Sequence, residues 1–167
     1  MQRLILFRHA KTENRAVDGE DIDRVLTARG RGDAERMGRI LAEAGITPDL
    51  VLISPAVRTR ETWELVSPAL PGARVEVREG LYDATPEEVD AELRVGTAEA
   101  GTVMVVGHNP SLHELAMELL ADGHSLPADL ERVSVGFPTA TAAIFAFDAE
   151  MRANLQGLFH ARGHGGE

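Results

Sequence analysis

Short, uninterrupted apolar runs separated by helical periodicity are what most constrain the fold of this chain. "LILF" (4–7), "LVLI" (50–53), "RVEV" (74–77) and "TVMVV" (102–106) read as strands, and the continuous runs call for cover on both faces. Between the first two, over Thr27 to Glu43, residues Ala34, Met37, Ile40, Leu41 and Ala44 recur at helical spacing, and Gly45 ends the helix. Three more helices declare their starts. Ser54 and Pro55 open "SPAVRTRETWELV", Thr85 and Pro86 with a capping-box Glu88 open "TPEEVDAEL", and Asn109 and Pro110 open "NPSLHELAMELL". Strand–helix alternation predicts a three-layer α/β/α fold with a mostly parallel central sheet and right-handed crossovers.

Residues 122–138 are rich in Gly, Pro and charge, and no element is assigned to them. "TATAAIFAF" (139–147) and "LQGLFH" (155–160) then read as two closing strands at a sheet edge. With 167 residues, no internal repeat and no linker, the expectation is one domain over 1–160 and a disordered tail over 161–167.

Composition removes several classes of function. The chain has no cysteine, so thiolate metal sites, cysteine nucleophiles and disulfides are excluded, and a cytoplasmic setting is expected. The net charge of −10 and a pI near 5.1 oppose nucleic-acid binding through phosphate contacts. No apolar run approaches the roughly 20 residues of a membrane span, and the N-terminus lacks a secretory pattern, so a soluble, untargeted chain is expected. Lys11 is the only lysine, so almost all positive charge is arginine, whose planar fork matches phosphate.

In open parallel sheets, ligands bind beyond the carboxyl ends of strands, where loops meet helix N-termini. Arg8 and His9 follow the first run, Ser54 and Arg58 the second, and His108 and Asn109 the fourth. Two arginines and two histidines facing one crevice, beside free helix N–H groups, suit a phosphate. Singly, His9 would pass for a structural histidine and Arg58 for a solvated helix charge, as Arg60 does. Their shared position reverses that.

Those residues carry a resemblance. "RHA" after the first strand, "LTARG" at the first helix, "SPAVRTRET" at the second and "VGHNP" at the fourth strand, in this order over residues 3–120, resemble the histidine phosphatase (phosphoglycerate mutase-like) superfamily. The short chain and its "RHAKT" start are most similar to the SixA type of phosphohistidine phosphatase. The resemblance implies that His9 is the phosphoryl-accepting nucleophile and that Arg8, Arg58 and His108 bind phosphate oxygens. It implies a proton donor near Glu79, in "REGLYDATPEE", and contacts to phosphate from Asn14 or Arg15 and from Asn109. No metal or other cofactor is required, because arginine and histidine supply the positive charge. The implied activity is a metal-independent phosphatase acting through a phosphohistidine on His9, with a phosphohistidine-bearing protein as substrate. The alternatives are a phosphatase or mutase of a small phosphorylated metabolite, and a silent module that only binds phosphorylated ligands.

Departures from the family pattern fall around this set. Arg15 stands where an asparagine is usual, with Asn14 one place early; Glu61 replaces a frequent glutamine, and Val25 a frequent proline. The acidic run "VDGEDID" (17–23) reads as a solvated loop able to border the pocket, Ser54 as a helix cap, and His113 and Glu114 as surface residues. His160 and His164, four apart, read as part of the tail rather than a metal site.

Overall fold

Each apolar run becomes a strand at the expected place. A computed structural model describes residues 1–97, 99–123 and 125–161; of the expected tail, all but Ala161 lie outside the described residues. The strands are β1 (Arg3–Arg8), β2 (Leu50–Ile53), β3 (Arg74–Val77), β4 (Thr102–Gly107), β5 (Thr141–Phe147) and β6 (Ala153–His160). They form one six-stranded sheet in the order β3-β2-β4-β1-β5-β6. The first four pair in parallel, and β5 and β6 close the far edge antiparallel, as the sequence predicts. Burial differs at the other edge. β3 is not covered on both faces: Val75 and Val77 are exposed, because the strand ends the sheet and has only β2 as a neighbour.

The helices are α1 (Ala28–Glu43), α2 (Val57–Val66), α3 (Pro86–Arg94), α4 (Ser111–Asp122) and α5 (Pro127–Ser134). Strand alternation divides the core in two. Ile5, Phe7, Val51 and Ile53 pack with Met37 and Leu41 of α1 and with Trp63 and Val66 of α2. Leu4, Leu6, Leu50 and Leu52 face Val89 and Leu93 of α3, Leu115 and Leu120 of α4, and Val133 of α5. β1, β2 and β4 therefore bury both faces, which is why their runs have no polar alternation. α5 was not foreseen. It lies in the segment left without an element, starts at Pro127, and is held by the buried Val133.

Local chemistry explains some helix ends and not others. Thr27 caps α1 by accepting from the Gly30 N–H, and Thr85 and Glu88 form the expected capping box on α3. Gly45 has φ of +69°, a left-handed value that suits its place after α1. Ser54 is not the α2 cap: the helix begins three residues later, with Ala56 at the cap position and no side-chain bond.

The "LTARG" motif has a packing reason. The first turn of α1 lies directly on the segment after β1, with the Thr27 N–H and hydroxyl both donating to the Lys11 carbonyl, at 2.9 and 3.2 Å. Gly30 permits that approach, since a β-carbon there would sit 2.0 Å from the same Lys11 oxygen. Gly30→Ala is therefore expected to destabilise the protein by about 2–3 kcal/mol, by overpacking against backbone. Urea denaturation measures this, and an unchanged midpoint would refute the packing account.

Candidate active site

Register places three side chains side by side. Arg8 pairs with Gly107 across β1 and β4, and Ile53 with Val106 across β2 and β4. The next residue of each strand, His9, Ser54 and His108, emerges at the carboxyl edge. Main-chain bonds extend the sheet by one step, His9 N–H to the Gly107 carbonyl and Ser54 N–H to the Val106 carbonyl, both at 3.1 Å. The His9 carbonyl in turn accepts from the Ala140 N–H at 3.0 Å, so its backbone is tied on two sides.

The imidazole of His9 is buried, with 8% of its surface exposed. Its Nδ1 lies 2.7 Å from the Ala10 carbonyl. A carbonyl only accepts, so Nδ1 carries the hydrogen and Nε2 carries the lone pair. Burial, with Arg58, Arg8 and Arg24 nearby, lowers the His9 pKa to about 4 against a smaller opposing effect of the Ala10 bond. The ring is neutral at pH 7.

His108 stands 5.4 Å from His9, ring centre to ring centre. Burial first, and then the nearness of His9 and Arg58, lower its pKa to about 3. Its Nε2 is 2.7 Å from Ser54 Oγ, and Nδ1 is buried with no partner. Two other orphaned buried polar atoms are neighbours, Arg8 Nε and Asn109 Oδ1. Orphaned buried polar groups are rare in folded proteins, and a cluster of them at a cleft is a ligand's place.

Arginines surround the histidines. Arg8 Nη1 and Asn109 Nδ2 both donate to the Phe137 carbonyl, at 2.7 and 2.9 Å, which fixes a side chain of β1 and one of the turn after β4 on one oxygen. Arg58, in the first turn of α2, is only 6% exposed. Its Nη1 donates to the Asp21 carbonyl at 2.7 Å and its Nη2 to the Asp21 carboxylate at 3.0 Å. One turn later Thr62 donates to the Arg58 carbonyl at 2.6 Å and accepts from the Ala10 N–H at 3.0 Å, linking α2 to the segment that carries His9. Glu61 braces the same region by accepting from the Leu26 N–H and from Arg31.

Two clefts meet at these residues. One, of about 250 Å³, is lined by Arg8, His9, Lys11, Arg24, Arg58 and His108, among others. The other, of about 200 Å³, shares Arg58, His108 and Asn109 and adds Asp21, Tyr82 and Asp83. A wider cleft of about 700 Å³ opens from Arg8 and Asn109 past His113, Arg132, Val135, Phe137 and Pro138.

Of the residues singled out in the sequence, Arg8, His9, Arg58, His108 and Asn109 therefore come together. Asn14 and Arg15 do not; both are exposed in the loop after β1 and line none of these clefts. Glu79 is exposed on a short 3-10 turn (Glu79–Leu81) and also lines none of them. Tyr82, just beyond that turn, reaches the site instead, packing edge-on to His108 at 5.8 Å. The acidic loop does border the pocket, through Asp21. His113 is not a surface residue: it is half-buried, bonded to the Val133 carbonyl at 2.9 Å and stacked on Phe137. Glu114 is exposed as expected.

Missed were Arg24, whose Nη2 donates to Thr12 Oγ1 at 2.6 Å, and Ser54 as the partner of His108. Thr62 had a signal, four residues after Arg58 on one helix face. Arg24 had none, as its loop has no periodicity to orient it.

Comparison with known proteins agrees with this arrangement. The family model of the histidine phosphatase superfamily (branch 1) matches residues 4–92. An uncharacterised Mycobacterium tuberculosis protein is 37% identical over 140 residues, covering 83% of this chain and 85% of its own. Two solved structures, each provisionally described as the phosphohistidine phosphatase SixA, superpose closely. The one from Nakamurella multipartitia is 31% identical, with a TM-score of 0.81 and 95% of each chain covered. The one from Agrobacterium tumefaciens is 29% identical, with a TM-score of 0.82, covering 95% of this chain and 97% of its own. With a family match over more than half its length, set on a sheet edge that gathers both histidines and their arginines, the chain belongs to the histidine phosphatase superfamily (branch 1) and is a phosphatase.

Proposed function

We propose that the protein removes phosphoryl groups from phosphohistidine-bearing proteins, through a phosphohistidine formed on its own His9. The observation that carries this reading is the fixed tautomer of His9, neutral and buried among arginines with Nε2 left as the nucleophile. Nε2 forms a bond to phosphorus as the bond to the leaving atom breaks, and that atom keeps the electron pair. Arg8 and Arg58 bring fixed positive charge to the phosphoryl oxygens, where it matters most in a transfer whose charge is spread over them, and His108 contacts them as a neutral ring. With its Nε2 bonded to Ser54 Oγ, His108 has only Nδ1 left for a ligand. Water then cleaves the phosphoenzyme.

Two features favour a phosphorylated protein over a metabolite. An imidazole is a good leaving group, which suits a site where Glu79 lies outside the clefts. The open cleft from Arg8 gives room for chain flanking the phosphorylated residue, with Val135 86% exposed at its rim. The two solved neighbours at 29% and 31% identity point the same way by their descriptions.

The test is phosphate release in EDTA from a phosphohistidine-bearing protein, 4-nitrophenyl phosphate and a set of sugar phosphates. The expected result is strongest release from the protein. Val135→Glu should cut that activity about tenfold while sparing 4-nitrophenyl phosphate, because it sets an unpaired charge on the apolar wall of that cleft. Preference for a sugar phosphate would move the protein to metabolism, and no release at all would favour a binding module. Among the described residues, no helix is long and apolar enough to cross a membrane.

A further inference from the structure

The two clefts that meet at Arg58 and His108 differ in the charged residues that line only one of them. The one at His9 is lined by Arg8, Lys11 and Arg24, whereas its neighbour is lined by Asp21 and Asp83 beside Tyr82. Asp21 stands at the boundary. Its carboxylate accepts from Arg24 Nη1 at 2.8 Å, Arg58 Nη2 at 3.0 Å and the Tyr82 hydroxyl at 3.1 Å, and its carbonyl takes Arg58 Nη1 at 2.7 Å. It thus holds the buried guanidinium of Arg58 in place while projecting a negative charge into the neighbouring cleft.

A phosphoryl group belongs in the cationic cleft, against His9. What remains of the substrate extends across Arg58 and His108 into the acidic cleft or out along the wide apolar one. We propose that Asp21 is a specificity-determining residue: it admits leaving groups that are neutral or cationic and turns away those with a negative charge of their own. This rests on the reading of His9 as the phosphoryl acceptor, and it narrows the substrate class to phosphoryl groups on uncharged or basic side chains. Asp21 keeps its charge at neutral pH, since the hydrogen bond from Arg24 first, and then Arg58 and Tyr82, lower its pKa to about 2 against the opposing effect of burial.

The inference is tested on three matched esters: phenyl phosphate, 3-carboxyphenyl phosphate and 3-(aminomethyl)phenyl phosphate. In the wild type, kcat/KM should rise in the order carboxylate, neutral, ammonium. Asp21→Asn keeps an oxygen acceptor and removes the charge, and it should close the gap between carboxylate and neutral esters by about tenfold, the effect of one charge several ångströms away in a partly solvated site. Equal changes on all three esters would mean that Asp21 only positions Arg58, and would overturn the proposal. So would an unchanged order.

Binding gives a readout without turnover. By calorimetry, Asp21→Asn should tighten pyrophosphate more than inorganic phosphate, by a similar factor, and equal tightening would count against the proposal. A wild type that ignores phosphohistidine proteins but orders the esters as stated would refute the phosphohistidine substrate while leaving the role of Asp21 intact. Turnover of phosphohistidine proteins with no ester discrimination would do the reverse.

Discussion

Replacing His9 with alanine or asparagine is expected to lower phosphate release by at least about 10⁴-fold on every substrate, as loss of a covalent nucleophile does. Both variants remove Nε2, and no other side chain in the cleft can take its place: His108 is nearest, but its Nε2 is committed to Ser54. The fold should survive, because the main-chain bonds of His9 to Gly107 and Ala140 need no side chain. Asparagine also removes the buried cavity that alanine would leave. The wild type, mixed with substrate and quenched in alkali, should show an acid-labile, alkali-stable phosphoryl group on His9, and neither variant should. A variant that kept a tenth of the activity would show that water is activated directly and that His9 only binds.

The parts of this site legible in the sequence are those set by strand register. A residue that follows a buried strand has one place to go, so "LILFRH", "LVLIS" and "VMVVGH" place His9, Ser54 and His108 on a common edge. Arg58 was legible for a similar reason, being in the first turn of a helix that starts at that edge. Ser54 was located but given the wrong task. Its hydroxyl is equally suited to capping, and only the third dimension shows His108 within 2.7 Å of it.

Loops were less legible, since no period tells which of their residues face inward. Asn14 and Arg15 sit nearer to His9 in sequence than Asp21 and Arg24 do, yet they point to solvent. The chain turns back after them: Thr12 and Leu26 form an isolated antiparallel bridge, which returns residues 21–24 to the cleft. The same limit hid Tyr82, beyond a short 3-10 turn, and α5, whose eight residues carry one buried apolar side chain. An isolated turn of that length has too little periodicity to stand out from a charged loop.

Arg58→Lys should lower kcat/KM about 10²- to 10³-fold, the usual cost of removing one preorganised donor from a site of developing charge, with most of the loss in kcat. The charge is kept, so a purely electrostatic role would tolerate the change. Geometry is what fails. The guanidinium uses one nitrogen for the Asp21 carbonyl and another for the Asp21 carboxylate, and its planar fork still has hydrogens for a phosphoryl oxygen. An ammonium on a flexible stem cannot hold both Asp21 contacts and aim a donor at phosphate. It would also loosen Asp21 from its place beside Tyr82. Arg60→Lys is the control: Arg60 lies on the exposed side of α2, and its replacement should change kcat/KM by less than about twofold. Kinetics on phenyl phosphate and on a phosphohistidine protein decide the matter, and an Arg58→Lys enzyme within fivefold of wild type would assign the phosphoryl oxygens to Arg8 and His108 alone.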